Sequence, residues 1–584
     1  MADRGVWRRV PWWLVALAGL VCAVLGAVLV ARPFDSLSVL VALVAVGAVA
    51  MAVSGLTVWW RGTSRWAGLV EAVLWLAVAV AVVAWPGITV RALAVVVGAG
   101  LLLGGVLDVV GGIRGTIDER VAAVLGGAAG VVLGVLALSW PSVTVLVVAV
   151  VFGARLVWFG LRLAWSSVRD RHGGGPTAAG HPRGRVRRYA HAVGSGVALL
   201  VALALAVLSA WLNAGEPTLD AFYDAPEEVP DEPGRLVRAE RFTRTMPQEA
   251  EAWRILYTTT RADGVPALAS ALVVVPVERG DEPLPVIALA HGTTGVARTC
   301  APSVLPDPFG AGAFFALGGV LERGWALVAT DYIGLGTAGG HPYLVGQPAG
   351  RSVLDSVRAA RELGDVTLAD RTVVWGHSQG GGAALWTGGL APAYAPDVGV
   401  VGVAALAPAS DLLGLADSLR RVTGGSIFAS FIVQGYANAY DDVDVDDYVR
   451  PVARPTFDAA VGRCLSEPAV LLSAIGSEVT GESVFSKDPA TGALLERLGE
   501  NVPVLPVDAP LLVAQGEGDR LISPVVQAAY VQARCAAGQA VDYRTYPGLD
   551  HVPLVQADSP LLPELFDWTE QRFAGAPFEP TCGR

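Results

Sequence analysis

A serine at position 378 lies within the pattern G-H-S-Q-G at residues 376–380. The apolar run 372–375 before it is typical of a strand, and a helix rich in glycine and alanine is predicted to follow. In this strand–turn–helix context the pattern places a serine hydroxyl on a sharp, exposed bend. The sequence therefore predicts Ser378 as a nucleophile. The alternative is a glycine-rich turn that carries a solvated serine.

A serine hydroxyl becomes a good nucleophile only when a base removes its proton. His551 is the predicted base, because it follows the last predicted strand and the order nucleophile, acid, histidine requires a histidine there. Asp519 follows the penultimate strand and is the predicted acid, which would hold the imidazole and stabilise its charged form. Three competing carboxylates are Asp411, Glu517 and Asp550.

A tetrahedral oxyanion needs two N–H donors. The backbone of Gln379, directly after the nucleophile, is the first predicted donor. The second is expected from the loop A-H-G-T-T-G at residues 290–295, with Thr293 as the first choice and Thr294 as the second. His377 is predicted to point away from the neighbouring Ser378, and His341 to be structural or to line a pocket.

Short apolar runs alternate with helical patterns beyond residue 240, which indicates a mostly parallel α/β sheet. The predicted strands are 253–258, 268–276, 285–290, 326–330, 372–375, 399–405, 509–514 and 541–545. Segments 351–363 and 380–387 are predicted helices. Residues 213–235 are rich in proline and acidic residues, so 213–240 is assigned as a linker and 241–584 as the catalytic domain.

The first third of the chain is almost continuously apolar, and each membrane span needs about 20 such residues. An all-α transmembrane bundle is predicted, with a six-span repeat domain at 1–188 and a seventh helix at 189–212. The seven spans are 11–31, 36–60, 66–85, 88–111, 121–140, 142–165 and 189–211. Three copies of one pattern underlie the first six, with repeated glycines that include Gly98 and Gly134. Arginines in every second loop predict a cytoplasmic N-terminus and an external catalytic domain.

Composition narrows the possible partners and the compartment. The net charge is −11, and the soluble half has no dense basic patch interleaved with aromatic residues, so nucleic acid is excluded as an expected partner. Four of the five cysteines fall in the soluble half, which fits two disulfides in an oxidising compartment with three possible pairings, or else four free thiols. No cofactor or metal is expected. The sequence of the acidic run 441–447 differs from that of an EF-hand calcium-binding loop, so the run is assigned as a solvated loop.

The soluble half resembles the secretory lipase family of α/β-hydrolases over residues 220–580. The motifs that carry the resemblance are the 290–295 loop, Thr330-Asp331-Tyr332, His341-Pro342-Tyr343, the segment around Ser378, and G-E-G-D at 516–519. The resemblance implies acyl esters such as triacylglycerols as substrates, a helical cap at about 411–505, and a disulfide Cys300–Cys464, which would leave Cys535–Cys582. The apolar repeats resemble HdeD-like acid-resistance membrane proteins over residues 10–170.

These patterns together predict a membrane-anchored, extracytoplasmic serine lipase or carboxylesterase that works through an acyl-enzyme. Two alternatives stay open. An acyltransferase would use the same three residues with an alcohol in place of water. A membrane stress module with a lipid-binding outer domain would have no catalysis. The oligomeric state is not predicted from the sequence.

Overall fold

The structure is a computed structural model. It describes residues 117–139, 184–213, 217–419, 424–470 and 484–582, together with Val422 and scattered helical positions in 16–110 and 157–165. The chain divides into two compact units. The first comprises Met1–Ala214, Arg450–Thr456 and Val479–Val484, and the second comprises Gly215–Val449, Phe457–Glu478 and Phe485–Arg584.

The first unit contains two long helices, α1 (Ile117–Ser139) and α2 (Gly184–Asn213). Their segments Arg120–Ser139 and Ala192–Trp211 each have 20 residues and a mean hydropathy of 2.4, long and apolar enough to cross a membrane. They coincide with the predicted spans 121–140 and 189–211. The other predicted spans, 11–31, 36–60, 66–85, 88–111 and 142–165, fall largely outside the described residues.

Glycines let α1 pack closely against helical residues near position 100. A Cβ atom on Gly134 would lie 2.9 Å from the carbonyl oxygen of Gly98, and one on Gly105 would lie 2.5 Å from that of Gly127. These distances leave no room for a side chain at the contact. Small residues that allow such close approach are typical of helix pairs in lipid.

The second unit is built around one mixed sheet of nine strands in the order β1-β2-β3-β5-β4-β6-β7-β8-β9. The pairs β1–β2, β2–β3 and β3–β5 are antiparallel, and the remaining pairs are parallel. The strands are Leu236–Arg241, Ala250–Thr260, Pro266–Pro276, Leu284–Ala290, Ala326–Ile333, Leu368–His377, Val400–Leu406, Leu511–Gly516 and Val541–Tyr546, numbered β1 to β9 in chain order.

Eight of these strands were predicted, and β1 was missed. Its sequence, LVRAER, is half charged. The strand lies at the edge of the sheet, where no further strand pairs with its outer side, so charged residues are tolerated there. The linker boundary at residue 240 is therefore wrong, because the sheet already begins at Leu236. The preceding segment is also ordered locally, since Phe222 and Tyr223 form a buried 3-10 turn.

Helices cover both faces of the sheet, because the central strands are apolar on both sides. One face packs against α4 (Gly346–Arg361), α5 (Gln379–Tyr394) and α11 (Pro524–Ala536). The other packs against α3 (Leu317–Glu322) and α12 (Leu561–Phe573), around the buried Trp375. The two predicted helices 351–363 and 380–387 correspond to α4 and α5.

The described residues between β7 and β8 contain several helices, where a helical cap was expected at about 411–505. These helices are α6 (Leu412–Leu419), α7 (Gly425–Ala437), α8 (Val445–Tyr448), α9 (Arg454–Val461) and α10 (Gly492–Glu500). Within the second unit it has its own apolar core, which includes Phe431, Tyr436 and Phe457. The insertion therefore packs as a layer of its own, and β7 and β8 remain neighbours in the sheet.

Candidate active site

Ser378 occupies the turn between the end of β6 and the start of α5. Its backbone has φ 59° and ψ −119°, an unusual conformation for a residue with a side chain. The turn is fixed to the sheet, because the Ser378 N–H donates to the Leu406 carbonyl oxygen over 2.9 Å. Such strain costs about 1–3 kcal/mol and persists only when the surroundings impose it. This is the sharp bend that the sequence predicted.

The flanking glycines explain how the bend is accommodated. A Cβ atom on Gly376 would lie 2.0 Å from the Gly380 carbonyl oxygen, and one on Gly380 would lie 1.9 Å from the Ala290 carbonyl oxygen. Both distances are far inside van der Waals contact. A side chain at either position would therefore collide with the backbone, and the glycine at 380 lets the start of α5 lie directly against Ala290 at the start of the loop 290–295.

Asp519 and His551 lie together at the ends of β8 and β9. Asp519 Oδ2 accepts a hydrogen bond from His551 Nδ1 over 2.8 Å, and the carboxylate is completely buried. It also accepts from the side chain of Gln515 and from the N–H groups of Leu521 and Ile522. This arrangement leaves Nε2 of the imidazole free for a proton from another group.

The competing carboxylates face other partners. Glu517 accepts from the Thr545 hydroxyl, and Asp411 accepts from backbone N–H groups at the start of α6. Asp550 accepts from the N–H groups of Arg520 and His551. The structure therefore pairs the imidazole of His551 with the carboxylate of Asp519.

His377 connects the His551 loop to the bend at Ser378. Its Nε2–H donates to the His551 carbonyl oxygen over 3.1 Å, and the two rings lie 4.6 Å apart. Burial, and then the charge of the neighbouring imidazole, hold the pKa of His377 well below its usual value, so this ring stays neutral. The predicted nucleophile and the predicted base thus lie on adjoining segments, linked by a contact that the sequence did not reveal.

The two predicted oxyanion donors also lie on adjoining segments. Gln379 is the first residue of α5, and Thr293 lies in the loop that follows β4. Within the described part of the chain, neither backbone N–H has a hydrogen-bond acceptor. The Thr293 hydroxyl bonds to the Tyr343 hydroxyl over 2.8 Å, whereas the carbonyl of Thr294, the second choice, accepts from the Leu465 N–H.

His341 supports Gln379 from the loop after β5. Its Nδ1–H donates to the Ile333 carbonyl oxygen over 2.9 Å, so its Nε2 can accept from the Gln379 side-chain amide over 3.1 Å. Burial lowers the pKa of His341 to about 3, which keeps the ring neutral. The sequence predicted His341 to be structural or to line a pocket, but it did not predict its contact with Gln379. The signal available in the sequence was the position of His341 after a strand that ends at the same edge of the sheet as the candidate site.

Both predicted disulfides are present. Cys300 is bonded to Cys464, and Cys535 is bonded to Cys582. The first bond lies beside the loop 290–295, because a Cβ atom on Gly295 would be 2.6 Å from the Cys300 sulfur. It joins the turn that follows this loop to the helical insertion.

The described residues contain no cluster of three or more histidine, cysteine or acidic side chains that could hold a metal ion. In the acidic run 441–447, Asp442 forms an ion pair with Arg497 over 3.1 Å.

The chain matches two families. Residues 313–580 match the secretory lipase family. Residues 17–84, 70–131 and 125–179 match a short repeat of unknown function, in agreement with the three copies predicted in this region. The proposed likeness of these repeats to HdeD-like proteins stays a prediction.

Several known proteins are similar to this chain over about three fifths of its length. A probable inactive lipase of Mycobacterium tuberculosis is 27% identical, with 62% of this chain and 83% of the relative covered. A secreted triacylglycerol lipase of Malassezia globosa is 25% identical, with 62% and 81% covered. Lipase A of Candida antarctica in its closed state superposes with a TM-score of 0.54 at 21% identity, covering 62% of this chain and 88% of that one.

The superposition establishes the fold, and the family match adds the sequence signature of residues 313–580. The second unit of this chain is thus a mixed α/β domain with the fold of lipase A and the signature of the secretory lipase family.

Proposed function

We propose that this protein is a membrane-anchored serine hydrolase of acyl esters whose catalytic unit lies outside the cytoplasm. One observation carries the proposal: a buried Asp519 carboxylate holds the His551 imidazole on a loop that contacts the strained turn of Ser378. Nucleophile, acid and histidine follow one another in the required chain order, and the acid and the histidine are the groups that activate the serine hydroxyl.

In the proposed reaction, Ser378 Oγ attacks the ester carbonyl carbon while His551 Nε2 takes its proton. The negative charge on the carbonyl oxygen is stabilised by the N–H groups of Gln379 and Thr293. His551 then protonates the departing alcohol, which leaves an acyl group on Ser378. Water, deprotonated by the same imidazole, attacks the acyl group, and the carboxylic acid is released as Ser378 regains its proton.

Acyl esters of lipids are the proposed substrate class. The relatives named as triacylglycerol lipases support this choice. Apolar side chains exposed after the carboxyl ends of three strands, Phe315, Leu413 and Val552, also support it, because this is the sheet edge that carries the site. An ester with a long acyl chain offers apolar area that such residues can cover.

Membrane anchoring is supported by the two apolar helices α1 and α2 and by their glycine contacts. An oxidising compartment for the catalytic unit is supported by its two disulfides, since such bonds persist mainly outside the cytoplasm. The arginine pattern predicts the same orientation.

Ester turnover by the purified full chain in detergent tests the proposal. We expect hydrolysis of p-nitrophenyl butyrate and p-nitrophenyl palmitate by the wild type and its loss in Ser378→Ala. Ser410→Ala is the matched control, because this buried serine bonds to Gln527 through its hydroxyl. Turnover in Ser378→Ala equal to that of the wild type would refute the proposal. So would a wild type that hydrolyses no ester, as the name of the mycobacterial relative implies for that protein.

A further inference from the structure

Tyr332 has a backbone conformation that a large side chain rarely adopts. Its φ is 68°, in the left-handed region that favours glycine, and the residue is buried, with 1% of its surface exposed. It follows a β-bulge, because Ser270 of β3 pairs with Tyr332 of β5 whereas Ala271 pairs with Thr330. Asp331 is the extra residue of this bulge. Left-handed bulky residues of this kind cluster at functional sites.

The bulge is held in place by buried polar contacts. The Asp331 carboxylate accepts hydrogen bonds from the hydroxyls of Ser270 and Ser303, both over 2.5 Å. The Tyr332 N–H donates to the Thr330 hydroxyl over 3.0 Å. These contacts, made by Asp331 and by the Tyr332 N–H, hold the bulge in place directly before the Tyr332 side chain.

The ring reaches the two segments that would supply the oxyanion donors. The Tyr332 hydroxyl donates to the His291 carbonyl oxygen over 3.1 Å, and its ring centre lies 4.4 Å from that of His291, at the start of the loop 290–295. On its other side the ring stacks on His341, with centres 5.9 Å apart. His341 in turn accepts the hydrogen bond from the side chain of Gln379.

We propose that Tyr332 is a positioning residue that sets the spacing between the loop of Thr293 and the start of α5 at Gln379. The inference rests on the proposed function, because it matters only if both N–H groups bind one oxyanion. Such donors must be held within about 0.5 Å of their productive positions. Two separate segments can meet this demand if one rigid side chain holds them both. The ring of Tyr332, fixed by the bulge, contacts the loop directly and contacts α5 through His341.

Tyr332→Phe tests the inference, because it keeps the ring and removes only the bond to the His291 carbonyl. We expect kcat for p-nitrophenyl butyrate to fall about tenfold, as for a small displacement of catalytic groups, while KM stays within about twofold. The rate at which a fluorophosphonate modifies Ser378 should fall in parallel, since its phosphoryl oxygen needs the same donors. The control is Tyr530→Phe, which removes a tyrosine hydroxyl bonded to the Pro503 carbonyl, and both of its rates should match those of the wild type.

The outcomes separate the two proposals. If the wild type is active, Ser378→Ala is inactive and Tyr332→Phe keeps the wild-type kcat, the positioning role is overturned and the hydrolase stands. A rise in KM alone would also overturn it, because it would indicate a role in ground-state binding. A wild type that neither hydrolyses esters nor reacts with the probe overturns both proposals.

Discussion

At the scale of single residues, the Asp519 carboxylate is set apart from its neighbours by its environment. It is completely buried, and its oxygens accept from one imidazole, one amide side chain and two backbone N–H groups. A carboxylate held in this way can orient His551 without moving. Glu517, two residues earlier, lies on the exposed side of the same loop and bonds to Thr545.

Asp519→Asn should therefore impair the chemical step much more than Glu517→Gln. The amide would disturb the Nδ1–H tautomer of His551, and the loss in kcat for such a change in a serine triad is roughly 10⁴-fold. We expect KM to change little and Glu517→Gln to stay within about twofold of the wild type. Steady-state hydrolysis of p-nitrophenyl butyrate checks both variants. A large loss in Glu517→Gln with none in Asp519→Asn would reassign the acid.

Two buried carboxyl groups outside the triad should make stability depend on pH. Burial raises the pKa of Asp331 and Asp355 to about 6, above the ordinary 3.8. Protonation therefore favours the folded state, so their stabilising contribution is complete below about pH 4 and is lost as the pH rises through 6. Raising the pH from 5 to 7 should therefore lower the free energy of unfolding by about 1 kcal/mol for each of these two groups.

Urea unfolding of the detergent-solubilised chain, followed by tryptophan fluorescence, measures this effect. Asp355→Asn should reduce the difference in stability between pH 5 and pH 7, because an amide does not titrate. Asp370→Asn, at an exposed position, should leave the difference unchanged. An equal pH dependence in the wild type and in Asp355→Asn would contradict the assignment of a raised pKa to Asp355.

At the scale of secondary-structure elements, local patterns predicted what depends on local sequence. The runs that form β3 to β8 have largely apolar stretches bounded by turn residues, β2 and β9 are rich in aromatic and β-branched residues, and the bend at Ser378 has its own motif. Strand β1 was missed because half of its residues are charged and it has no aromatic residue, whereas the other edge strand, β9, keeps two tyrosines, a valine and a threonine. The left-handed conformation of Tyr332 was not predictable either, since the bulge arises from pairing with β3, some 60 residues away. The contact of His377 with His551 depends on a separation of 174 residues.

The two disulfides should differ in their effect on activity. Cys300–Cys464 joins residues 164 positions apart beside the loop 290–295, whereas Cys535–Cys582 joins residues 47 apart. Removing either bond should destabilise the fold by roughly 2–5 kcal/mol, with about 1 kcal/mol more for the longer loop. Only the paired change Cys300→Ser and Cys464→Ser should also lower kcat, because it frees the insertion from the loop of Thr293.

Thermal unfolding and ester turnover of the two double variants check this prediction. Turnover is compared at a temperature where both variants remain folded, so that stability and activity are separated. Equal kcat values in the two double variants would show that the Cys300–Cys464 bond stabilises the fold without positioning the site.

At the scale of the whole molecule, a repeat-built apolar region precedes a lipase-like unit in one chain. The apolar segments 120–139 and 192–211 are long enough to span a bilayer, and the disulfides of the second unit fit an oxidising compartment. The arginine pattern predicts a cytoplasmic N-terminus. From there an odd number of spans, seven, would place the catalytic unit on the outer side.

A sulfonated fluorophosphonate that does not cross membranes tests this orientation in intact cells. We expect it to label the wild type before lysis as fully as after lysis, because Ser378 would face the outside. Ser378→Ala should show no labelling in either state. Labelling that appears only after lysis would place the catalytic unit in the cytoplasm.

The most direct test of the central claim is the mass of the purified full chain after reaction with a fluorophosphonate, followed by peptide mapping. We expect one adduct per chain on the peptide that contains Ser378, slowed strongly in His551→Gln and absent in Ser378→Ala. An unmodified wild type, or an adduct on a different residue, would contradict the assignment of Ser378 as the activated nucleophile.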